Sequence, residues 1–322
     1  MKFRTEIDIK PFEHCIDYSD SILSLGSCFA TNISQRLTQH KFKVTNSPTG
    51  ILFNPASIAA TVELMSSGYR VTERDLLECG EGYASYLFHS ELSSLDKSEA
   101  IAQMQRALDC GAEALRSSQH TIITLGTAWV YRLKETGRVV ANCHKQPAAL
   151  FSRELLTTEQ IIESLETILS HTSSQLIITI SPVRHLGDGM EDNSLSKALL
   201  RVAVAEFVAR HSERVKYFPA FEILIDDLRD YRFYADDLVH PSTMAVDYIA
   251  QKFFDAALSA QAKERLATIE SIVRAANHRP LNPGSEQHKS FCRKQLEAIK
   301  AIKDVDLSKE SEYFEQMLQI NL

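Results

Sequence analysis

Two short stretches hold the residues best suited to chemistry. The first is Gly26-Ser27-Cys28-Phe29-Ala30. The apolar run Ile22-Leu23-Ser24-Leu25 leads into it and reads as a buried strand. After it, Phe29, Ile33 and Leu37 recur at helical spacing. Gly26 and Ser27 therefore sit where a strand gives way to a helix, and a glycine permits the sharp reversal needed there. Cys28 then lies at the carboxyl end of a strand, where open α/β sheets bind ligands. It also lies at a helix N-terminus, whose free N–H groups and dipole favour negative charge. A thiol in that place is expected to have a lowered pKa, and the thiolate is its reactive form. The plain alternative is that Ser27 is only an N-cap and Cys28 only a small buried hydrophobe.

The second stretch is Tyr234-Ala235-Asp236-Asp237-Leu238-Val239-His240-Pro241-Ser242. Asp237 and His240 are three residues apart, just before a helix that Pro241 or Ser242 can start. One turn can hold the imidazole and orient it with the carboxylate, as a nucleophile's base requires. Such a base beside Cys28 would lower the thiol pKa further. An acidic capping turn with a surface histidine has the same spelling. Cys28 is weighed as the nucleophile ahead of Ser27, which can instead donate a hydrogen bond.

These residues need a scaffold that brings strand ends to one rim. Expected strands are Ile22–Leu25, Lys41–Val44, Thr121–Leu125, Leu176–Ile180 and Val215–Phe218. Expected helices run over 29–40, 56–65, 98–117, 157–171, 193–211 and 242–258. In the 193–211 helix, Leu195, Leu199, Val202 and Phe207 are assigned inward. Strands alternating with helices mean a mostly parallel sheet covered on both faces. The fold class is a flavodoxin-like three-layer α/β/α sandwich with a five-stranded sheet. Residues 1–258 form the main domain, with a polar, extended lead-in over 1–20. Residues 67–98 read as an irregular insertion, and Val130–Leu133 with Arg138–Ala141 as a hairpin. Residues 259–322 form a C-terminal helical extension, with helices near 261–277, 286–302 and 310–320. Its apolar residues Leu266, Ile269, Ile272 and Val273 are expected to pack onto the main domain; docking on a partner is the alternative.

Other strand ends supply further polar residues: Gly126 and Thr127 after the third strand, Arg184 and His185 after the fourth. Arg184 and His185 can bind an anionic substrate group, or form an ordinary surface pair. His144 is a candidate second base, Cys143 is expected to be buried, and Trp129 is core or pocket wall.

Composition narrows the function class. The chain has 322 residues, 44% hydrophobic and 24% charged, which fits a globular protein with a large core. A net charge of −7 without a basic block argues against nucleic-acid partners. The six cysteines form no CxxC pair, so reduced thiols and a cytoplasmic location are expected. The N-terminus lacks an apolar signal core, and no stretch approaches the roughly 20 apolar residues of a membrane span. The histidines lack a HExxH-type spacing, so no metal and no other cofactor is expected.

The order of the two stretches, elbow first and Asp-x-x-His last, is similar to that of the SGNH, or GDSL-like, hydrolases. The chain more closely resembles the GSCFA-domain family, named for residues 26–30. The resemblance also rests on Gly50–Pro55, Leu125–Trp129, Ala141–Lys145, Ser181–His185 and Tyr234–Ser242, and covers roughly residues 20–258. It implies an SGNH-like fold. Gly26-Ser27-Cys28 stands where those enzymes have Gly-Asp-Ser, so Cys28 takes the nucleophile's place, with Asp237 and His240 as acid and base. Gly50 matches the loop glycine whose N–H helps bind the oxyanion. The usual Gly-x-Asn-Asp is Gly126-Thr127-Ala128-Trp129 here, so the oxyanion asparagine is missing; Asn54, Asn142 or His144 can substitute for it. The implied activity is hydrolysis or transfer of an acyl ester, on an acylated carbohydrate or another small ester. The alternative is a ligand-binding protein on a degenerate site. Oligomeric state stays open.

Overall fold

The computed structural model describes residues 4–320. The central strands are β1 (Ser21–Gly26), β2 (Lys43–Asn46), β5 (His120–Leu125), β8 (Gln175–Ile180) and β9 (Val215–Phe218). They form one sheet in the order β2-β1-β5-β8-β9, with every pairing parallel. That order is the flavodoxin-like one, and the point where it reverses lies beside β1. Two small antiparallel ribbons stand apart: β3 (Leu77–Cys79) with β4 (Gly82–Ala84), and β6 (Trp129–Leu133) with β7 (Phe151–Leu155).

The central strands are apolar on both faces because helices cover both. On one face Ile22, Ile122, Ile177 and Phe218 pack with α1 (Cys28–Gln39) and α7 (Thr243–Ala257). On the other, Leu23, Ile123 and Ile178 meet α2 (Pro55–Ser67), α3 (Lys97–Ser117), α4 (Thr158–Ser170) and α5 (Met190–Arg210). Local signals place the helix starts. Asn54 caps α2 with Pro55 next, Thr157 and Gln160 form a capping box on α4, and Ser242 caps α7. A short helix, α6 (Ala220–Glu222), runs into a π-helical turn over Ile223–Leu228.

The C-terminal helices are α8 (Ala260–Asn277), α9 (Glu286–Ala301) and α10 (Ser308–Gln319). Ile269, Ile272, Cys292 and Phe314 are buried in the same core as α1 and α7, with Leu266 and Val273 packed against it. The extension thus covers the main domain, and Lys41 pairs with Glu310 at 2.6 Å across that junction.

Several expectations are corrected. The second strand starts two residues late because Lys41 adopts a left-handed turn (φ 69°) and Phe42 is buried against Tyr18. The lead-in is not simply polar: Phe12, Ile16 and Tyr18 are buried; its first three residues lie outside the described ones. The expected hairpin is present but short: Arg132 bridges Val139, with the Leu133 N–H on the Arg138 carbonyl and the Val140 N–H on the Tyr131 carbonyl, each at 2.9 Å, while the longer partner of β6 is β7. In α5, Leu195 and Val202 face solvent, and the buried face is Asn193, Ser196, Lys197, Leu200, Ala203, Val204 and Phe207. The inward stripe turns polar at its N-terminal end, where it passes beneath the carboxyl rim of the sheet. No helix among the described residues is long and apolar enough to cross a membrane.

Candidate active site

The first turn is built by close approach. Gly26 has φ 137°, and a Cβ there would lie 2.2 Å from the Thr124 carbonyl oxygen on the neighbouring strand. The Ser27 N–H then donates to that same oxygen at 3.0 Å. Ser27 is fully buried, and among the described residues its hydroxyl has no hydrogen-bond partner and does not cap α1. Ser27 therefore does not reach solvent, let alone a substrate. Cys28 is half-buried, leaning on the α1–α7 core with Val239.

The Cys28 thiol is pushed up, not down as its position suggests. Burial dominates; the N–H groups of Cys28 and Phe29 oppose it, and so does the ammonium of Lys197. His240 is not among the groups that move it.

Asp237 and His240 form a compact local unit. Asp237 Oδ2 lies 2.7 Å from His240 Nδ1, and its Oδ1 accepts the N–H of Val239 and of His240, each at 2.9 Å. These donors, the His240 backbone first, pull the carboxyl down to about 2. The turn closes through the Ala235 N–H to the His240 carbonyl at 2.8 Å, with Leu238 left-handed (φ 56°). The imidazole is 47% exposed and Nε2 makes no hydrogen bond among the described residues.

One backbone bond ties this loop to the sheet. The Arg184 N–H, just past β8, donates to the Val239 carbonyl at 3.2 Å. Strands lie about 4.8 Å apart, so the ends of β1 and β8, separated only by β5, are about 10 Å apart. The Cys28 turn and the Asp237–His240 loop thus belong to one rim.

A cavity of about 510 Å³ opens beside them. Phe53, Trp129, Tyr131, Val140 and Phe151 give it apolar walls; Asn54, Asn142, Gln146 and His185 give it polar ones. Cys28 and His240 are not in its lining. His185 connects the two places. Its Nε2 is buried without a partner, and lies 3.1 Å from where a Gly126 Cβ would sit; the Ser27 Cβ lies 3.2 Å from the same point. Burial holds the ring down at about 4, with Lys197 and His240 adding like charge. It is a neutral imidazole at physiological pH.

The remaining sequence-selected residues fall into two groups. Asn54 and Asn142 line the cavity, each with its Oδ1 held by a backbone N–H, of Ser57 at 2.8 Å and His144 at 2.7 Å. Asn54 Nδ2 makes no hydrogen bond among the described residues and remains a donor to the cavity. Gly50 and Gly126 are not free oxyanion donors, because their N–H groups go to Ser47 at 2.8 Å and Phe53 at 2.7 Å. His144 is buried, with Nε2 on the Ser85 carbonyl at 2.8 Å, so it is no open base. Arg184 lays its guanidinium on Tyr234 at 4.0 Å rather than toward an anion. Trp129 is pocket wall, fixed by Arg153 at 3.6 Å over its ring. Cys143 also lines the cavity rather than the core.

Sequence reasoning missed Lys197. It is buried on α5, and Nζ donates to the carbonyls of Gly126 at 2.7 Å and Ser181 at 2.6 Å. The signal was readable: Asn193, Lys197, Leu200, Val204 and Phe207 share one helical stripe. No cluster of three or more metal-ligating side chains occurs among the described residues.

No curated protein matches the chain. Among solved structures it is similar to a carbohydrate esterase of family 3 from Talaromyces cellulolyticus, with 8% identity, TM-score 0.34, and 78% of this chain and 99% of that one covered. It is also similar to an acetyl esterase mutant crystallised with acetate, with 9% identity, TM-score 0.35, and 79% and 99% covered. The model of the GSCFA family matches residues 21–253, and that of the GSCFA domain protein C-terminal domain matches residues 269–320. With both matches spanning most of its length, the chain belongs to the GSCFA family.

Proposed function

We propose that this protein hydrolyses or transfers an acyl ester, with Cys28 as nucleophile, His240 as its base and Asp237 orienting that base. The observation that carries the reading is the Asp237–His240 unit. A carboxylate held ionised grips Nδ1 at 2.7 Å and leaves Nε2 open, on the rim where Cys28 begins its helix. That is the requirement for a base acting on a nearby thiol.

The steps follow from the donors present. His240 Nε2 takes the thiol proton as sulfur attacks the ester carbonyl. The N–H groups of Cys28 and Phe29 at the start of α1 favour negative charge at this turn, and Asn54 Nδ2 stands in for the missing asparagine. Collapse breaks the C–O bond, and the alcohol leaves with the proton from His240. Water or another acceptor then takes the acyl group from sulfur. The cavity, aromatic on its walls with amides between them, suits a neutral small ester such as an acylated carbohydrate.

A panel of short p-nitrophenyl acyl esters tests this. Turnover that falls by about a thousandfold or more in Cys28→Ala supports the assignment. Turnover unchanged in that variant overturns it. The raised thiol pKa and a cavity lined without Cys28 favour a second reading, a binding protein without turnover. A ligand held in the cavity with every ester left intact selects that reading.

A further inference from the structure

The cavity is walled by neutral side chains with one exception. Asp188, in the loop between β8 and α5, is the only carboxylate in its lining, which holds no lysine or arginine among the described residues. Arg153, on β7, does not let that carboxylate stand alone. Its Nη2 donates to Asp188 at 2.9 Å and to Asp192 at 3.2 Å. The same guanidinium lies 3.6 Å from the centre of the Trp129 ring. A planar guanidinium can lay its face on an indole while its edge bonds carboxylates, and Arg153 does both from outside the lining. Strand register puts it there. Tyr131 pairs with Arg153 and Trp129 with Leu155, so Trp129 is the diagonal neighbour of Arg153 on one face of the ribbon. Helix α5 fixes the same turn: Trp129 Nε1 donates to the Asp192 carbonyl at 3.3 Å, and Ser196 Oγ accepts the Ala128 N–H at 2.7 Å.

We propose that Arg153 is the positioning residue that sets the charge selectivity of this cavity: it neutralises Asp188 and covers one face of Trp129, so that the cavity takes an uncharged, sugar-sized ligand ahead of a cationic or anionic one. The proposal deepens the acyl-transfer reading by naming the charge class of its substrate. It rests on that reading only for the statement that this ligand is the substrate.

Each contact has its own consequence. An unpaired carboxylate in the wall would attract an ammonium ligand and repel an acidic one. Paired with Arg153, Asp188 offers neither a counter-charge, so an ionic ligand gives up hydration for nothing in return. The second acid does not undo this, because Asp192 lies outside the lining and its side chain is 38% exposed to water. The stack acts on shape. Held between Arg153 and the Asp192 carbonyl, the indole is a fixed flat wall, and the part of it that Arg153 leaves uncovered faces the cavity. Beside it, Asn54, Asn142 and Gln146 bring amides suited to neutral hydroxyls.

Trp129 is the single tryptophan of the chain, so its fluorescence reads the cavity directly. The experiment titrates the protein at low salt, slightly below neutral pH, with N-acetylglucosamine, glucosamine and glucuronate, which are neutral, cationic and anionic. The wild type is expected to respond to N-acetylglucosamine at lower concentration than to either charged sugar. In Arg153→Gln the affinity for glucosamine relative to N-acetylglucosamine should rise about three- to fivefold, the scale of one partly screened charge. Adding Asp188→Asn to that variant should return the ratio to its wild-type value, a rescue that a merely structural arginine would not show. A ratio unmoved in Arg153→Gln, a ratio that stays raised in the double variant, or a wild type that answers no sugar or prefers a charged one overturns the proposal. Should Arg153→Gln not fold, Asp188→Asn alone decides: the affinity for glucuronate relative to N-acetylglucosamine rises by a similar factor, and an unmoved ratio overturns the proposal. None of these readings needs ester turnover. Ratios that move as stated while every ester stays intact would sink the acyl-transfer reading and leave the role of Arg153 standing; turnover with unmoved ratios would do the opposite.

Discussion

The rim holds two polar units of opposite character. The Asp237–His240 pair is exposed and local in sequence, with only the solvent-facing His240 Nε2 left without a partner among the described residues. The cluster of buried Ser27, half-buried His185 and buried Lys197 comes from three distant segments. It leaves two polar atoms, Ser27 Oγ and His185 Nε2, without partners among the described residues. Water hydrates the first unit, so holding it adds little to stability and serves mainly to aim an imidazole. The second is desolvated, and each polar atom there lowers stability unless something in function offsets it. The contrast is that orientation can be arranged at the surface, whereas shifting a protonation equilibrium by burial requires the interior.

The contrast breaks most visibly at His240. His240→Ala should cut ester turnover by roughly 10²–10⁴ in kcat/KM, the range for a lost acid–base group, while leaving the urea midpoint where it was. An equal loss of stability would mean that the loop is structural.

The next effect is on stability, through His185. Its folded pKa is about 4 against an ordinary 6.5. Between those values the unfolded chain binds the proton and the folded one does not, so stability falls as pH drops through that window and recovers above it. The contribution reaches about 3 kcal/mol at its acid end. Urea melts at pH 7 and pH 4.5 should show a smaller acid loss in His185→Gln than in the wild type. His120, His144 and His40 are also lowered by burial and supply the background slope.

A smaller effect is expected at the contact between the units. A Cβ at Gly126 would stand 2.9 Å from the Phe53 carbonyl oxygen and 3.1 Å from His185 Nε2. Gly126→Ala should lower stability by about 1–3 kcal/mol, as overpacking does, and shift His185 away from Ser27. Its imidazole NMR signals then titrate at higher pH; unchanged signals would show that the tight approach is not what keeps the ring dry.

How much of this was legible differs between the units for one reason. Asp237 and His240 are three residues apart, so one turn holds both and their pairing shows in the spelling. The Gly26 elbow was legible too, since only a glycine accepts φ 137° against the Thr124 carbonyl. The donors Gly50 and Gly126 were not: whether an N–H is free depends on which carbonyl lies opposite, and Ser47 and Phe53 take both. The inner face of α5 was misread because periodicity counts apolar residues, while this stripe carries Asn193, Ser196 and Lys197 where it meets the rim.

The sequence alone determined the alternation of strands and helices, the elbow at Gly26 and the acid–imidazole turn, because each is written in residues within one or two turns of one another. Tertiary structure alone decided that burial raises the Cys28 thiol instead of lowering it, and that a lysine from α5 lies beneath its turn. Desolvation and long-range charge depend on what packs around a group in space, and no local pattern of residues encodes that.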